Sequence, residues 1–161
     1  MALKGLDDID SRILTELQKN GRVPNIELAD AVGLSPSQCL RRLRRIEGLG
    51  IIRGYTTLLS TEALGLGVTA FTRVSVEKHG HAPTQAFERG VQRIPEVLEC
   101  YSLTGEADYL LRVVAPDLTG YSDVLTGKIM PLPGVTSVNS ALVLREIKHI
   151  TALPLQYARR G

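Results

Sequence analysis

The chain has 161 residues, of which 43% are hydrophobic and 22% are charged, and its formal net charge at pH 7 is +2. This composition is typical of a globular protein, and no stretch approaches the roughly 18 uninterrupted apolar residues of a membrane span. The acidic N-terminal stretch lacks the apolar segment of a secretory signal, so we expect a cytoplasmic protein with no membrane partner. Cys39 and Cys100 lie too far apart for a metal motif and indicate reduced thiols.

Two helices are predicted in the first third of the chain. The stretch 8–20 repeats apolar side chains at helical spacing, and Asp7 or Asp8 is available as its N-cap. A second, shorter helix follows, which we expect Asn25 to cap and Ile26 to help anchor by facing inward.

A third helix is predicted to begin at Pro36, since Ser35-Pro36 provides an N-cap followed by proline at the first helical position, and to end near Gly48 or Gly50. The tight turn 32–35 joins it to the second helix, and this arrangement predicts a helix-turn-helix unit. One face of the third helix is apolar, and the opposite face groups Gln38, Arg41, Arg42 and Arg45.

Positive charge is concentrated on that third helix. Residues 35–55 carry five arginines against one acid, Glu47. A recognition helix needs donors near its N-terminus for base edges and cations for phosphates. We expect Gln38 and Arg41 to contact bases and Arg42, Arg45 and Arg53 to contact phosphates, with Ser35 and Ser37 as further hydroxyl donors, so double-stranded DNA is the predicted partner.

The remainder of the chain predicts a β-α-β-β-α-β order. Its elements are a strand over 68–76, a helix with Phe87 inward, strands over 97–104 and 109–115, a helix with Leu118 inward, and a strand over 135–147. This order is the ferredoxin-like α+β arrangement, in which two helices cover one face of the sheet. We expect another subunit to cover the second face, which makes a dimer the minimum assembly.

The predicted domain organisation is therefore a helix-turn-helix domain over 1–55, an extended linker over 56–67, and a ferredoxin-like domain over 68–161 that joins subunits.

Three motifs carry a resemblance to a known family. The segments GLSPSQCLRRLRRIE at 33–47, GII at 50–52 and GEADYLL at 105–111 resemble the Lrp/AsnC regulators, also called leucine-responsive or feast/famine regulators. The likeness covers nearly the whole chain. It implies a sequence-specific transcription regulator whose second domain, of the type called RAM, senses an amino acid. The segment REIKHITALPL at 145–155 resembles a subgroup whose effectors include leucine, methionine or cysteine.

The same resemblance implies an assembly and a site. Family members form dimers that associate further, commonly into octamers, with effector sites between dimers. The implied effector residues are Thr104, Gly105, Glu106 and Asp108, with Gly134, Val135, Thr136 and Ser137 arriving from a neighbouring subunit. Asp108 would accept from the ammonium group of the amino acid, and the Gly105 and Gly134 turns would donate to its carboxylate.

Two other functions remain open at this point. Certain haem-pathway decarboxylases share the two-domain build, and a DNA-compacting protein could use it without an effector. The sequence contains no recognisable nucleophile–base pair, so we do not expect the protein to be an enzyme or to bind a cofactor beyond the effector. His79 and His81 are interpreted as part of a plain loop, and no metal is expected.

Overall fold

The computed structural model describes residues 6–77 and 81–157. By its internal contacts the chain divides into two compact units: residues up to Leu58 together with those from Lys148 onwards form the helix-turn-helix unit, and Leu59–Ile147 form the sheet unit. The second domain was predicted to run from residue 68 to the C-terminus. The structure groups its last part, from Lys148, with the first unit instead. No helix in the described residues is long and apolar enough to cross a membrane.

The helix-turn-helix unit contains α1 (Asp8–Lys19), α2 (Asn25–Val32) and α3 (Pro36–Gly48). Asp7 caps α1, as one of the two predicted candidates, and its side chain accepts from the backbone N–H of Asp10. Gly33 ends α2 in the left-handed conformation, with φ of 72°, which only glycine adopts at low cost.

Two expectations about α2 are wrong. Asn25 is the first helical residue and caps nothing, because Pro24 occupies the N-cap position; its side-chain amide donates instead to the carbonyl of Pro36 at 2.9 Å. Ile26 is 65% exposed. It lies about 200° around the helix from Leu28, whose side chain faces the core.

The core of the first unit is small and includes a contribution from the far end of the chain. Its buried members are Ile13, Leu14, Leu28, Ala29, Val32, Cys39 and Ile46. Leu155, in a short 3₁₀ turn at Leu155–Tyr157, packs against this core. The Gln18 side chain brackets the backbone of Leu153, donating to its carbonyl at 3.2 Å and accepting from its N–H at 2.6 Å. The C-terminal segment is thus part of the helix-turn-helix unit.

The sheet unit has the predicted ferredoxin-like order. Its elements are β1 (Val68–Val76), α4 (His81–Val91), β2 (Val97–Ser102), β3 (Tyr109–Ala115), α5 (Leu118–Val124) with a π-helical turn at Leu125–Ile129, and β4 (Val135–Leu142). The sheet is antiparallel with strand order β2-β3-β1-β4. Alternate residues of β1 and β3 face a core that contains Phe87 and Tyr121, and the α+β fold class is confirmed.

Two details of this unit differ from the expectations. Leu118 is 60% exposed because Tyr121 and Val124 face the core, and Leu118 lies about 120° around the helix from Val124. The last strand ends at Leu142 rather than at residue 147. Its partner strand begins at Val68, and after the pair Ala70–Leu142 only one further bond, from Val143 N–H to the Thr69 carbonyl, continues the ladder.

Candidate DNA-binding surface and effector site

The N-terminus of α3 is organised by Ser35 and Gln38. The Ser35 hydroxyl accepts from the Gln38 backbone N–H at 3.4 Å, and Gln38 Oε1 accepts from the backbone N–H and the hydroxyl of Ser35 at 3.3 and 3.0 Å. This reciprocal capping fixes the first turn of the helix. Because the capping bonds use Oε1, the Nε2 donors of Gln38 remain available for a base edge. Ser37 is exposed beside them, with its Oγ 3.3 Å from that of Ser35.

The arginines in and after α3 fall into two groups. Arg41 and Arg44 are exposed on the helix, and Arg53 is exposed in the segment that follows. Within residues 6–77 and 81–157 these three side chains form no ion pair. Their positive charge is therefore not neutralised by acids of the described chain, as a surface that binds phosphate requires.

Arg42 and Arg45 form the second group and bind acids at the start of α1. Arg42 donates to Asp7 at 2.7 Å and to Asp10 at 2.9 Å, and Arg45 donates to the other oxygen of Asp10. Asp10 is completely buried. Both arginines were predicted to contact phosphate, and the structure places them in a partly exposed cluster of Asp7, Asp10, Arg42 and Arg45, in which only Asp10 is buried.

Two members of this cluster, Asp7 and Arg42, have shifted pKa values. The hydrogen bond from the Asp10 backbone N–H, together with Arg42, holds the pKa of Asp7 below its ordinary value. The hydrogen bonds that Arg42 donates to Asp7 and Asp10 raise the pKa of its guanidinium. These effects favour the charged forms of Asp7 and Arg42, so the ion pair between them persists across the physiological pH range.

Sequence reasoning missed the part played by Asp10. A signal was present, because Asp10 precedes Ile13 and Leu14 by three and four residues and so lies on the apolar face of α1. An acid on a buried face requires a cationic partner, and the arginines of α3 were the candidates.

The predicted effector residues lie in two groups at the same end of the sheet. The turn between β2 and β3 contains Thr104, Gly105 and Glu106, all exposed, and Gly105 has φ of 124°. The stretch 134–137 begins β4, the strand on the other side of β1. In one chain the two groups are therefore separated by two strand spacings, roughly 10 Å.

Hydrogen bonds fix both groups to the end of β1. The Gly134 carbonyl accepts from Glu77 N–H at 2.8 Å, and the Thr136 hydroxyl donates to the Ser75 carbonyl at 3.1 Å. Asp108 Oδ2 accepts from the Val76 N–H at 2.9 Å. Asp108 therefore uses one carboxylate oxygen for the fold, which leaves Oδ1 for a ligand. Val135 is half-buried at the start of its strand, and Ser137 pairs with Ser75.

No group of His, Cys, Asp and Glu that could hold a metal occurs in the part of the chain that the structure describes. His79 lies outside the described residues, and His81 begins α4.

Comparisons with known proteins cover both units. Residues 6–47 match the model of the AsnC-type helix-turn-helix domain, and residues 69–153 match that of the Lrp/AsnC ligand binding domain. The leucine-responsive regulatory proteins of Escherichia coli and Salmonella typhimurium are each 39% identical to the chain over 153 residues, which is 95% of this chain and 93% of the relative. The chain belongs to the Lrp/AsnC family of transcription regulators. The family has a helix-turn-helix domain and an amino-acid-binding domain, and this Lrp/AsnC protein has both in the same order.

Solved structures of Lrp/AsnC regulators share the fold of this family member. A transcriptional regulator from Neisseria meningitidis, crystallised as its L-Met complex, is 46% identical with a TM-score of 0.92 and covers 95% of this chain and 99% of its own. A feast or famine regulatory protein from M. tuberculosis, complexed with L-methionine, is 30% identical with a TM-score of 0.83, over 92% and 99% of the two chains.

Proposed function

We propose that this Lrp/AsnC protein regulates transcription by binding operator DNA through α3, with Gln38 and Arg41 in contact with base edges. The observation that carries the proposal is the free, capped N-terminal half of α3, where the Gln38 donors and the Arg41 guanidinium are exposed together. Arginine grips guanine through two parallel hydrogen bonds, and the glutamine amide does the same with adenine. Ser37 adds a hydroxyl donor at the same end, where Ser35 caps the helix and orients Gln38. Arg53 supplies a cation for phosphate.

The DNA contact is tested by the variant Arg41→Ala. On an operator selected by the wild-type protein from a random pool of duplexes, we expect its affinity to fall about 5- to 150-fold, the value of one good base contact. Arg93→Ala removes an exposed arginine from the sheet unit and serves as the matched control. Equal affinities of both variants and the wild-type protein would refute the assignment.

The effector proposed for the sheet unit is an amino acid, with leucine, methionine and cysteine as candidates. Methionine has the strongest support, because two structural neighbours were solved with it. Asp108 Oδ1 would accept from its ammonium group, and the N–H groups of the Gly105 and Gly134 turns would donate to its carboxylate. Thr104, Glu106, Val135, Thr136 and Ser137 would line the same site.

We propose further that the effector acts through assembly. In a dimer, the sheet face not covered by helices would meet its equivalent. That face carries Phe71, Tyr101 and the ion pair Arg112–Glu99. Association of dimers, up to an octamer, would place residues 134–137 of one subunit against the turn of another. To act, an effector bound there must have different affinities for the different assembly states. It would then shift the assembly and so change which recognition helices engage DNA together.

Calorimetry with leucine, methionine and cysteine tests the effector site. Asp108→Asn keeps an oxygen that can accept from the Val76 N–H but removes the negative charge, so we expect the fold to persist and amino-acid affinity to fall at least about tenfold. Asp123→Asn, at an exposed position of α5, is the control. If none of the three binds and DNA complexes are unchanged in their presence, the alternative of an effector-independent DNA-compacting protein is favoured. Because the proposed partner is chromosomal DNA, the proposed location is the cytoplasm.

A further inference from the structure

Two of the four arginines on α3, Arg42 and Arg45, bind the buried carboxylate of Asp10. Asp10 is 0% exposed, and its carboxylate accepts three hydrogen bonds: from Arg42, from Arg45 and, at 3.0 Å, from the backbone N–H of Asp7. Asp7 in turn accepts from Arg42 at 2.7 Å. A buried carboxylate with these partners holds both guanidinium groups in place, because releasing either one would remove a charged hydrogen bond from a buried carboxylate oxygen.

The charge balance of this cluster separates it from the DNA-facing cations. The cluster contains two acids, Asp7 and Asp10, and two arginines, Arg42 and Arg45, so its formal charge is zero. A neutral cluster releases few counterions when DNA binds, because the protein's own acids already satisfy its cations. The cations that remain for phosphate in this region are Arg44 and Arg53, with Arg41 toward the bases.

We propose that Asp10 is a positioning residue for sequence recognition, which binds Arg42 and Arg45 and thereby fixes α3 on α1 at the angle that brings Gln38 and Arg41 to the bases. The inference rests on the proposed function and replaces the expectation that Arg42 and Arg45 neutralise phosphates.

The arrangement of the helices supports this role. Arg42 and Arg45 lie three residues apart, so they project from one side of α3 as neighbours toward α1. Gln38 and Arg41 precede them by one turn each, four residues in both cases, and their placement depends on the axis of the same rigid helix. A small rotation of α3 about its contact with Asp10 would therefore misplace both base-contacting side chains while leaving the exposed charge unchanged.

Sequence discrimination is the readout that tests positioning. Asp10→Asn keeps the size of the side chain and removes the charge that holds the two arginines. We expect the ratio of affinities for the selected operator and a scrambled duplex to fall roughly tenfold, the effect of about one mismatched base pair. A purely structural role would lower the active fraction and reduce binding to both duplexes by the same factor. An unchanged ratio would therefore overturn the proposal. Asp30→Asn, at an exposed site on α2, is the matched control.

The dependence of DNA affinity on salt tests whether Arg42 pairs with Asp10 rather than with phosphate. Each phosphate neutralised by a side chain contributes about 0.9 to the slope of log K against log salt. The double variant Asp10→Asn, Arg42→Gln leaves the net charge of the chain unchanged and lets the two amides pair. We expect its slope to equal that of the wild-type protein, whereas Arg53→Ala is expected to lower the slope by about 0.9. A loss of about 0.9 in the double variant would show that Arg42 contacts phosphate and would overturn the inference.

Arg42→Lys gives an independent measurement should the variants of Asp10 fold poorly. Lysine keeps the charge but lacks the fork that bridges Asp7 and Asp10, so we expect reduced discrimination with an unchanged salt slope. Retained discrimination would count against positioning. A wild-type protein that binds neither duplex at low salt would refute the proposed function itself, a result distinct from any of these outcomes.

Discussion

The helix-turn-helix unit and the sheet unit differ in how much apolar core they contain. Over residues 6–77 and 81–157, seven buried side chains form the core of the first unit and thirteen form that of the second. The sheet unit also contains a polar cluster, in which the hydroxyls of the buried Thr72 and Tyr121 and of the exposed Ser140 form hydrogen bonds that link β1, α5 and β4. Its stability is thus spread over many contacts.

The helix-turn-helix unit compensates for its small core with specific polar contacts. The Asp10 cluster joins α1 to α3, and the bracket of Gln18 around Leu153 attaches the C-terminal segment to α1. Domains are stable by only about 0.1 kcal/mol per residue, so a unit of this size has little reserve. We therefore expect single substitutions to disable DNA binding more readily than they disable the sheet unit.

The largest expected effect comes from matched truncations in the two cores. Leu28 and Leu111 are 1% and 0% exposed, and replacing either with alanine should cost about 2–5 kcal/mol. In the helix-turn-helix unit this loss is a large fraction of the stability, so we expect Leu28→Ala to weaken DNA binding strongly while amino-acid binding persists. We expect Leu111→Ala to lower the unfolding temperature but to keep both activities.

Urea unfolding followed by circular dichroism, with calorimetry for the amino acid, distinguishes these outcomes. If Leu28→Ala retained full DNA binding and Leu111→Ala lost amino-acid binding, the sheet unit would be the less tolerant of the two.

The next effect concerns the turn between α2 and α3. Gly33 has φ of 72° and open space around it, so alanine there meets no atom but adopts a left-handed conformation that costs about 1–2 kcal/mol. Gly48 also has open space but lies within α3, where alanine should add about 0.4–1 kcal/mol of stability. Chemical denaturation of the two variants should therefore give shifts of opposite sign. A shift of the same sign for both would mean that backbone conformation is not the cause.

Local signals explain how much of this fold the sequence predicted. The helix-turn-helix could be predicted because Ser35-Pro36 favours the start of a helix and Gly33 favours the end of one. The order of strands and helices followed from apolar periodicity. The placement of the predicted effector residues at one end of the sheet followed from the register of antiparallel strands, since the Gly105 turn and Gly134 both flank the end of β1.

Features that depend on distant residues were missed. The bracket between Gln18 and Leu153 joins residues 135 positions apart, and no local pattern predicts it. The pairing of Asp10 with Arg42 and Arg45 was missed for the same reason, although an acid on the apolar face of α1 was a sign of it. Ile26 and Leu118 were misplaced because each lies in the first turn of a short helix, where few neighbours define the buried face.

A smaller effect is expected at the C-terminal segment. Gln18→Ala removes both hydrogen bonds to Leu153, and their net contribution is about 1 kcal/mol because water replaces them on an exposed surface. We expect faster proteolysis within 148–157 and a small loss of stability in the helix-turn-helix unit. Gln92→Ala, at an exposed site of the sheet unit, is the control and should change neither. Equal proteolysis rates in Gln18→Ala and the wild-type protein would show that the bracket does not hold the segment.

The smallest effect is the dependence of stability on alkaline pH, to which each unit contributes a tyrosine. Burial and the hydrogen bond to Glu47 raise the pKa of Tyr55 to about 12, and burial and the bond to Glu88 raise the pKa of Tyr109. A phenol whose pKa is higher in the folded protein than its ordinary value of 10.0 stabilises the fold fully below pH 10.0. This contribution is lost as the pH rises through the folded-state pKa.

Phenylalanine at either position removes the titrating group. We expect the urea midpoint of the wild-type protein to fall between about pH 10 and about pH 12, and Tyr55→Phe and Tyr109→Phe each to remove part of that fall. The share removed by Tyr109→Phe should be larger, because Tyr109 is 4% exposed whereas Tyr55 is 52% exposed and its charge is better screened by water. If Tyr55→Phe removed more of the fall in the urea midpoint than Tyr109→Phe, the stability of the first unit would depend more on this phenol than its exposure indicates.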